Sequence, residues 1–368
     1  MFLRISGFFF FYFSIVGVYI IFMPKILQLL GYASVHIGLV FAVAPLTRFL
    51  VPFFFLKHFQ LKRSLFIAAL CTTLVAALLF YITIHNVWLF LIPNVLLGAS
   101  LGLILPFIET YSLEFLGKSN FGRSRLYGSI GFMSIGLILA KLLDDPFVGL
   151  HFFLLSVLMM IGFGLAVTLQ NAHFSSLTRA HEGTLNLLKE KGFWLSLFLM
   201  QVSFGAFYNF FTIYETEHGI SLETTSWLWA FGVICEIVLF YFQGPILQRF
   251  SMLGLVKFAT LMTSIRWMLL FLFPESLFIS FFSQSFHAFS FALHHTAAFS
   301  YLHTIYQNKK LAAQFYYGIS FGLGGFAGAL ISGWMYGPYL YLGSALIAFS
   351  AFLVCKKPTA LKNHEEQE

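Results

Sequence analysis

Charged residues are scarce in this 368-residue chain. Asp, Glu, Lys and Arg together make up 10% of it, whereas 59% is hydrophobic and 50 residues are Phe. A soluble chain of this length carries roughly a quarter charged residues, because its surface faces water. The scarcity therefore excludes an ordinary soluble protein, and the mean hydropathy of +0.86 indicates that lipid is the solvent.

Cysteine is also rare, and its spacing predicts no special chemistry. Cys71, Cys235 and Cys355 form no CxxC pair and lie in or beside apolar stretches. This pattern indicates neither a disulfide framework nor a metal site, and no cofactor is expected. No cleavable signal peptide is expected either, because no small-residue cleavage site follows the apolar run after Arg4.

Long apolar stretches are what the chain does contain. A helix rises 1.5 Å per residue, so roughly 20 apolar residues cross about 30 Å of hydrocarbon. Such stretches lie at residues 4–28, 35–56, 65–84, 89–115, 125–143, 148–170, 193–216, 223–243, 252–273, 276–306, 312–333 and 336–355. The sequence therefore predicts an all-α integral membrane protein with twelve transmembrane helices.

The net charge of +7 is distributed unevenly over the loops. The two termini and the even-numbered loops hold Arg4, Lys57, Lys62, Arg63, Lys118, Arg123, Arg125, Arg179, Lys189, Lys191, Arg249, Lys257, Lys309, Lys310, Lys356, Lys357 and Lys362. The other side has at most Lys25 and Lys141, together with the acids Asp144, Asp145, Glu215, Glu217, Glu223 and Glu275. The positive-inside rule predicts that both termini are cytoplasmic. The protein is expected in the cytoplasmic, or inner, membrane. Orientation thus explains the basic excess, and no nucleic-acid partner is expected.

The chain divides into two similar halves. The longest polar stretch, residues 171–192, separates a six-helix bundle at 1–170 from another at 193–355, and a cytoplasmic tail follows at 356–368. An offset of about 190 residues superimposes the segment Tyr127–Phe132 on Tyr317–Gly322 and places Arg48 near Glu236. This internal repeat predicts two pseudo-symmetric six-helix bundles around a central cavity, as in transporters.

Five ionisable residues lie inside the predicted helices, where each costs several kcal/mol unless it is paired or faces water. They are Arg48, Glu109, Glu236, Arg266 and His287. Glu236 is 13 residues from both Glu223 and Arg249, about 20 Å from either flank and hence at the midplane. A buried ion pair between Glu236 and Arg266 is the structural interpretation. The functional one is proton coupling by Glu236 and Arg266, with His287 and Glu109 contacting the solute or relaying the proton.

The tenth stretch is rich in histidine. At 100° per residue, Phe291, His294, Ala298 and Tyr301 fall within about 40° of His287, and His295 is rotated about 80° from it. Imidazoles titrate near neutral pH, so this face suits proton transfer or a solute contact. The alternative is that one or two of these histidines only satisfy neighbouring polar groups.

Neutral hydrogen-bonding side chains mark the seventh stretch: Gln201, Tyr208, Asn209 and Tyr214. Among aromatic residues they suit a pocket that orients a small polar molecule, although helix packing explains them almost as well. Together with His295 and Arg48 they are the predicted solute-binding residues.

Several motifs carry a family resemblance. They are Phe121–Phe132, Pro106–Glu109, Gly232–Glu236, Arg266-Trp267, His287 with His295, Leu199–Gln201, Ile213-Tyr214 and Arg48-Phe49. Together they resemble the proton-coupled symporters of the major facilitator superfamily that are related to the phenylpropionate transporter, and more distantly lactose permease and nucleoside permeases. Ser290 departs from the pattern, because lactose permease has a carboxylate there. The resemblance implies symport of an aromatic acid, a nucleoside or a sugar-like solute with protons, by a monomer.

Other functions are left open by the residues alone. An exporter or a uniporter would use the same cavity without proton coupling. An integral-membrane enzyme would need HxxxH or HxxHH spacing on cytoplasmic loops, whereas the chain offers only the adjacent His294 and His295 in the tenth stretch. A non-transporting receptor would leave the intramembrane charges without a role.

Overall fold

The computed structural model describes residues 1–55, 63–169 and 186–356, and these residues form helices joined by short turns. The twelve main helices are α1 Phe2–Leu29, α2 Ser34–Phe55, α3 Arg63–Thr83, α4 Val87–Gly117, α5 Asn120–Leu142, α6 Pro146–Thr168, α7 Lys191–Glu217, α8 Leu222–Phe242, α9 Met252–Leu272, α10 residues 277–305, α11 Leu311–Met335 and α12 Leu340–Val354.

Ten of these helices are long and apolar enough to cross a membrane. The other two are α10, which consists of Leu277–Ser285, a π-helical turn Ala288–Leu293 and His294–Ile305, and the 15-residue α12. Each of the twelve predicted stretches coincides with one helix. The predicted all-α membrane architecture is therefore confirmed.

Capping residues set the ends of several helices and keep the connections short. The side chains of Asp145, Ser221 and Ser251 accept hydrogen bonds from backbone N–H groups at the starts of α6, α8 and α9. Gly117, with φ of 71°, takes a left-handed conformation that ends α4 before α5 begins. Because these connections are short, consecutive helices run in opposite directions. The end of the bundle that holds Met1 is called the terminal face, and the end with the loops at 30–33, 143–145, 218–221 and 273–276 the distal face.

The helices pack as two groups. In the first half α1 lies against α4, α5 and α6, and α3 lies against α4; in the second half α12 packs on α7 and α9, and α8 packs on α10. The division predicted within residues 171–192 lies mostly outside the described residues, as does the tail at 357–368. The domain limits and the positions of the termini relative to the cytoplasm therefore stay predictions.

Several contacts between the halves lie at the distal face, although α2 and α11 also pack together further along, where Phe49 lies against Gly322. Gln28 of α1 donates a hydrogen bond to Glu217 of α7, and Lys141 of α5 pairs with Glu223 of α8 at 3.3 Å. Helices α2 and α11 also meet there, where a Cβ on Gly38 would lie 2.6 Å from the carbonyl oxygen of Ala329. The backbones of the two halves are thus in direct contact at this end.

Gly38→Leu is expected to separate α2 from α11 at the distal face, because no side chain fits against the opposing backbone. Hydrogen exchange followed by mass spectrometry should show faster exchange in the distal turns of both helices. Gly162→Leu is the matched control, since a Cβ on Gly162 meets nothing within 4 Å. Unchanged protection in the Gly38 variant would contradict the close approach.

Candidate functional site

Polar side chains in the middle of the helices outline a cleft between the halves. Arg48 of α2 is exposed, and the side chains of Glu109 and Arg125 are 35% and 32% exposed. Tyr317 of α11, from the other half, interacts electrostatically with both Glu109 and Arg125. The hydrogen bond and the ion pair between the halves lie on the distal side of this cleft.

Arg266 is the centre of the buried polar cluster in the second half. Its side chain is fully buried. Its Nη2 donates to Oε1 of Gln284 at 2.7 Å, and its Nη1 lies 3.0 Å from both Nδ1 of His287 and Oγ of Ser290. The guanidinium also lies over the ring of Phe207, 4.4 Å from the centroid. Hydrogen bonds and a cation–π contact therefore hold the charge in one orientation.

The contact with Arg266 determines which nitrogen of His287 carries hydrogen. Arginine only donates hydrogen bonds, so Nδ1 of His287 accepts. The ring hydrogen then resides on Nε2, which lies 3.5 Å from Oε2 of Glu236. If Nδ1 also carried a proton, two N–H donors would face each other and the hydrogen bond with Arg266 would be lost. His287 is thus neutral while Arg266 is bound, and it connects the guanidinium with the carboxylate.

The direct ion pair expected between Glu236 and Arg266 is therefore not formed. His287 lies between the two charges and contacts both. Gly232 of α8 permits this arrangement, because a Cβ there would lie 3.2 Å from Oε1 of Gln284 and 3.5 Å from Cβ of His287. Helix α10 can thus place its polar residues directly against α8, between Glu236 and α9.

The histidine face predicted for α10 is wrong in its register. The π-helical turn Ala288–Leu293 adds a residue to one turn, so the side chains beyond it shift around the helix. His287 and Phe291 stack with centroids 5.3 Å apart, and Phe291 and His295 stack at 6.3 Å. The column continues from His295 through Phe299 to His303. His295 therefore joins the face of His287. Both His287 and His294 are buried, whereas His295 is half-buried.

His295 is enclosed by aromatic rings. Its Nδ1 lies 3.0 Å from the hydroxyl of Tyr316, and its ring is 6.1 Å from Tyr317 and 6.2 Å from Phe321. This column of alternating imidazole and phenyl rings is partly exposed along α10. It forms one wall of the cleft, with Tyr317 between it and the Glu109 pair.

The residues predicted on α7 do not all reach this site. Tyr208 interacts electrostatically with Glu236 and Arg266 and belongs to it, and the partly buried Gln201 packs against Gly324 of α11. Asn209 donates to the carbonyl of Gly205 in its own helix at 2.9 Å. Tyr214 is buried nearer the distal face, where its hydroxyl donates to the carbonyl of Leu270. The last two contacts stabilise packing.

Glu109 lies in the first half, away from the Arg266 cluster. Its Oε1 accepts from Nε of Arg125 at 3.1 Å. Arg125 itself lies 4.0 Å from the ring centroid of Phe13. The sequence placed Arg125 among the basic loop residues of the terminal side. Its position in the second turn of α5 could have indicated that its side chain lies within the helix bundle.

Three further residues escaped the sequence argument. Gln284 and Ser290 contact Arg266, and their positions three residues before and after His287 on α10 are the available signal. Glu215 was counted among the distal acids, yet it is fully buried in the last turn of α7. Within the described residues no group of three or more His, Cys, Asp or Glu side chains is arranged to hold a metal ion.

Comparisons with known proteins agree with this architecture. The chain is 27% identical over 277 residues to the "Probable 3-phenylpropionic acid transporter" of Escherichia coli strain K12, covering 71% of each chain. Among solved structures, it is similar to the nucleoside transporter NupG, with a TM-score of 0.75 and 16% identity over 96% of this chain and 99% of that one. The POT family transporter PepTSo matches with a TM-score of 0.72 and 12% identity, over 96% of this chain and 95% of that one.

The two structural similarities establish the fold alone, because both identities are low. The family model is more informative, since the model of the MFS_1-like family matches residues 2–345, nearly the whole chain. The fold, the cleft between two helix groups and this match lead to one assignment. The protein is a multi-pass membrane transporter, not an enzyme, and it belongs to the MFS_1-like family of the major facilitator superfamily.

Proposed function

We propose that this transporter is a proton-coupled symporter of a small organic acid with an aromatic ring, working by alternating access between its two halves. The observation that carries the proposal is the chain of contacts from Arg266 through His287 to Glu236. The side chain of Glu236 is 19% exposed, so it is the member of this chain that reaches the cleft.

Proton coupling follows from what each member of the chain can do. Arg266 stays charged, and His287 cannot accept a second proton while its Nδ1 is bound to Arg266. Glu236 has two oxygens and an approach from the cleft, so it exchanges the coupling proton. A change in the distance between Arg266 and His287 would alter the charge that Glu236 experiences, and this links protonation to conformation.

An anionic, aromatic solute is supported by the two walls of the cleft. Arg48 is exposed and forms no ion pair within the described part of the chain. An exposed guanidinium without an ion-pair partner is available to bind an anion, so a carboxylate on the solute is the suitable partner. The rings of the column from His287 to Phe299 stack face to face, so the column offers ring edges that pack edge-to-face on an aromatic group. The relative described as a probable 3-phenylpropionic acid transporter supports this choice over a nucleoside or a sugar.

The direction of the cleft follows from the charge distribution. The terminal face holds most of the Lys and Arg residues, so by the positive-inside rule it faces the cytoplasm. We infer that this conformation, with Gln28 and Glu217 in contact at the distal face, is open to the cytoplasm and closed outside. The protein resides in the inner membrane and acts as a monomer, because one chain supplies both walls of the cleft.

Uptake into proteoliposomes tests the proposal. Vesicles with an alkaline interior should accumulate radiolabelled 3-phenylpropionate, and a protonophore should abolish the accumulation. Protein-free vesicles are the essential control, because the neutral form of such an acid crosses lipid unaided. Protein-dependent movement that is insensitive to the proton gradient would instead identify a uniporter.

Arg48→Gln is expected to raise the solute concentration needed for half-maximal uptake, because it removes the charge that binds the carboxylate. Arg48→Lys should retain part of the affinity, since a lysine keeps the charge without the planar donor fork. Concentration dependence of initial uptake rates measures both variants. Equal affinity of the wild type and Arg48→Gln would exclude Arg48 from the solute site.

A further inference from the structure

A second buried carboxyl group lies away from the cleft, on the distal side of the second half. Glu215 of α7 is completely buried. Its Oε2 accepts a hydrogen bond from Oγ of Ser280 on α10 at 3.0 Å. Its Oε1 has no hydrogen-bond partner among the described residues. The hydroxyl of Ser280 is therefore the one hydrogen-bond donor that the described side chains provide for this carboxyl group.

No described Lys, Arg or His forms an ion pair with Glu215. The titratable groups that face it are two phenols, Tyr214 of its own helix and Tyr341 of α12, both close enough to interact electrostatically. The hydroxyl of Tyr214 is occupied by the carbonyl of Leu270. An ionised carboxylate without a cation or several donors is very unfavourable in a dry site. In this conformation Glu215 therefore carries a proton.

The neighbours of Glu215 connect it with the contacts that close the distal face. Two residues further along α7, the exposed Glu217 accepts hydrogen bonds from Gln28 of α1 and from Tyr336. His218 follows and is partly buried, with its Nδ1 2.8 Å from the carbonyl of Tyr214. Opening of the distal face breaks the contact between α1 and α7. Glu217 and Glu215 lie on opposite sides of α7, so the last turn then loses its support on the side of α1 and is held only by the packing of Glu215 against α10 and α12. Loosening of this turn admits distal water to Glu215.

Glu215 is also connected with the Arg266 cluster. Ser280 and Gln284 are four residues apart on α10 and share one face of the helix, and Gln284 accepts from Arg266. Nε2 of Gln284 and the hydroxyl of Tyr341 are buried without a described partner. Tyr341 interacts electrostatically with both Glu215 and Arg266. Polar groups thus extend from Glu215 to the site that contains Glu236.

We propose that Glu215 is a second proton-binding site, filled from the distal solvent, and that the distal face closes only when this site is occupied. In the distal-open conformation the carboxylate is hydrated and ionised. A proton from distal water bonds to one of its oxygens, and the neutral acid is then buried against Ser280 as α7 returns to α1. The proposal rests on the proposed alternating-access transport and adds a proton requirement to one of its steps.

Distances between spin labels on the two halves test this requirement without any solute. Val35→Cys on α2 and Tyr339→Cys before α12 place labels at exposed distal positions of opposite halves, in a full-length protein whose three native cysteines are replaced by serine. Raising the pH should lengthen this distance in the reconstituted protein. Glu215→Gln, which mimics the protonated acid, should hold the short distance at every pH.

Glu275→Gln is the matched control, because Glu275 is an exposed distal carboxyl beside α10. It should keep the pH response of the parent protein, and so should His218→Asn. A pH response that persists in Glu215→Gln would overturn the proposal. So would the absence of a response in the parent protein.

Infrared spectroscopy provides a second readout that needs only the parent protein and one variant. The carbonyl band of a protonated carboxyl group should be present at neutral pH, should disappear over the pH range in which the distance lengthens, and should be missing from Glu215→Gln. A band that is unaffected by Glu215→Gln would contradict the protonated state. Neither readout depends on uptake, so failure of the uptake experiment refutes the symport proposal separately from this one.

Discussion

Glu236→Gln should abolish accumulation of solute against a gradient while solute exchange between the two sides of the membrane continues. The amide keeps the size of the side chain and its contact with His287, but it cannot take up or release a proton. Net symport requires the proton to leave on the terminal side, whereas exchange can proceed with the site permanently neutral. Proteoliposomes should therefore show counterflow of labelled solute without proton-driven uptake.

Glu109→Gln is the comparison for this experiment, because it alters a cleft carboxyl of the other half that is paired with Arg125. Its uptake should remain driven by the proton gradient. Full accumulation by Glu236→Gln, at normal protein yield, would remove Glu236 as the proton carrier. Glu109 would then become the leading candidate for the proton carrier.

Arg266→Ala should lower both stability and transport. It leaves the acceptors on Gln284, His287 and Ser290 unpaired in a buried site and opens a cavity beside Phe207. Removal of one partner from a buried charged network costs roughly 3–5 kcal/mol. The midpoint of thermal unfolding in detergent should fall accordingly, and proton-driven uptake should be lost.

Arg266→Lys separates the charge of this residue from its geometry. The ammonium keeps the positive charge but lacks the planar fork that reaches three acceptors at once. Its unfolding midpoint should lie between those of the wild type and Arg266→Ala, with coupling still impaired. An Arg266→Ala protein as stable as the wild type would show that the cost of burying the guanidinium cancels its hydrogen bonds.

Local composition was sufficient to predict the membrane helices. Each stretch of about 20 apolar residues satisfies its own backbone hydrogen bonds as a helix, so the outcome depends little on the other helices. The same argument identified Glu236, Arg266 and His287, because an ionisable side chain within such a stretch is recognisable from its position alone. The structure was needed to show that these three form one cluster and that Glu109 pairs with Arg125 instead.

Contacts between helices depended on details that apolar periodicity does not record. The π-helical turn before His294 moved His295 onto the face of His287, whereas uniform rotation of 100° per residue placed it elsewhere. Gly232 let α10 approach α8 closely enough for His287 to stand between Arg266 and Glu236. The sequence predicted a direct ion pair because Glu236 and Arg266 carry opposite charges, and it gave no sign that His287 lies between them.

Glu215 illustrates most clearly what the tertiary structure decided. At the end of an apolar stretch, a glutamate has the same sequence signature whether it faces water or the protein interior. Its burial against Ser280 results from how α7, α10 and α12 pack, and that packing is non-local. The sequence by itself therefore determined the membrane class, the helices and the residues with unusual charge. Only packing decided which of those charges meet, which reach the cleft and which are closed off from solvent.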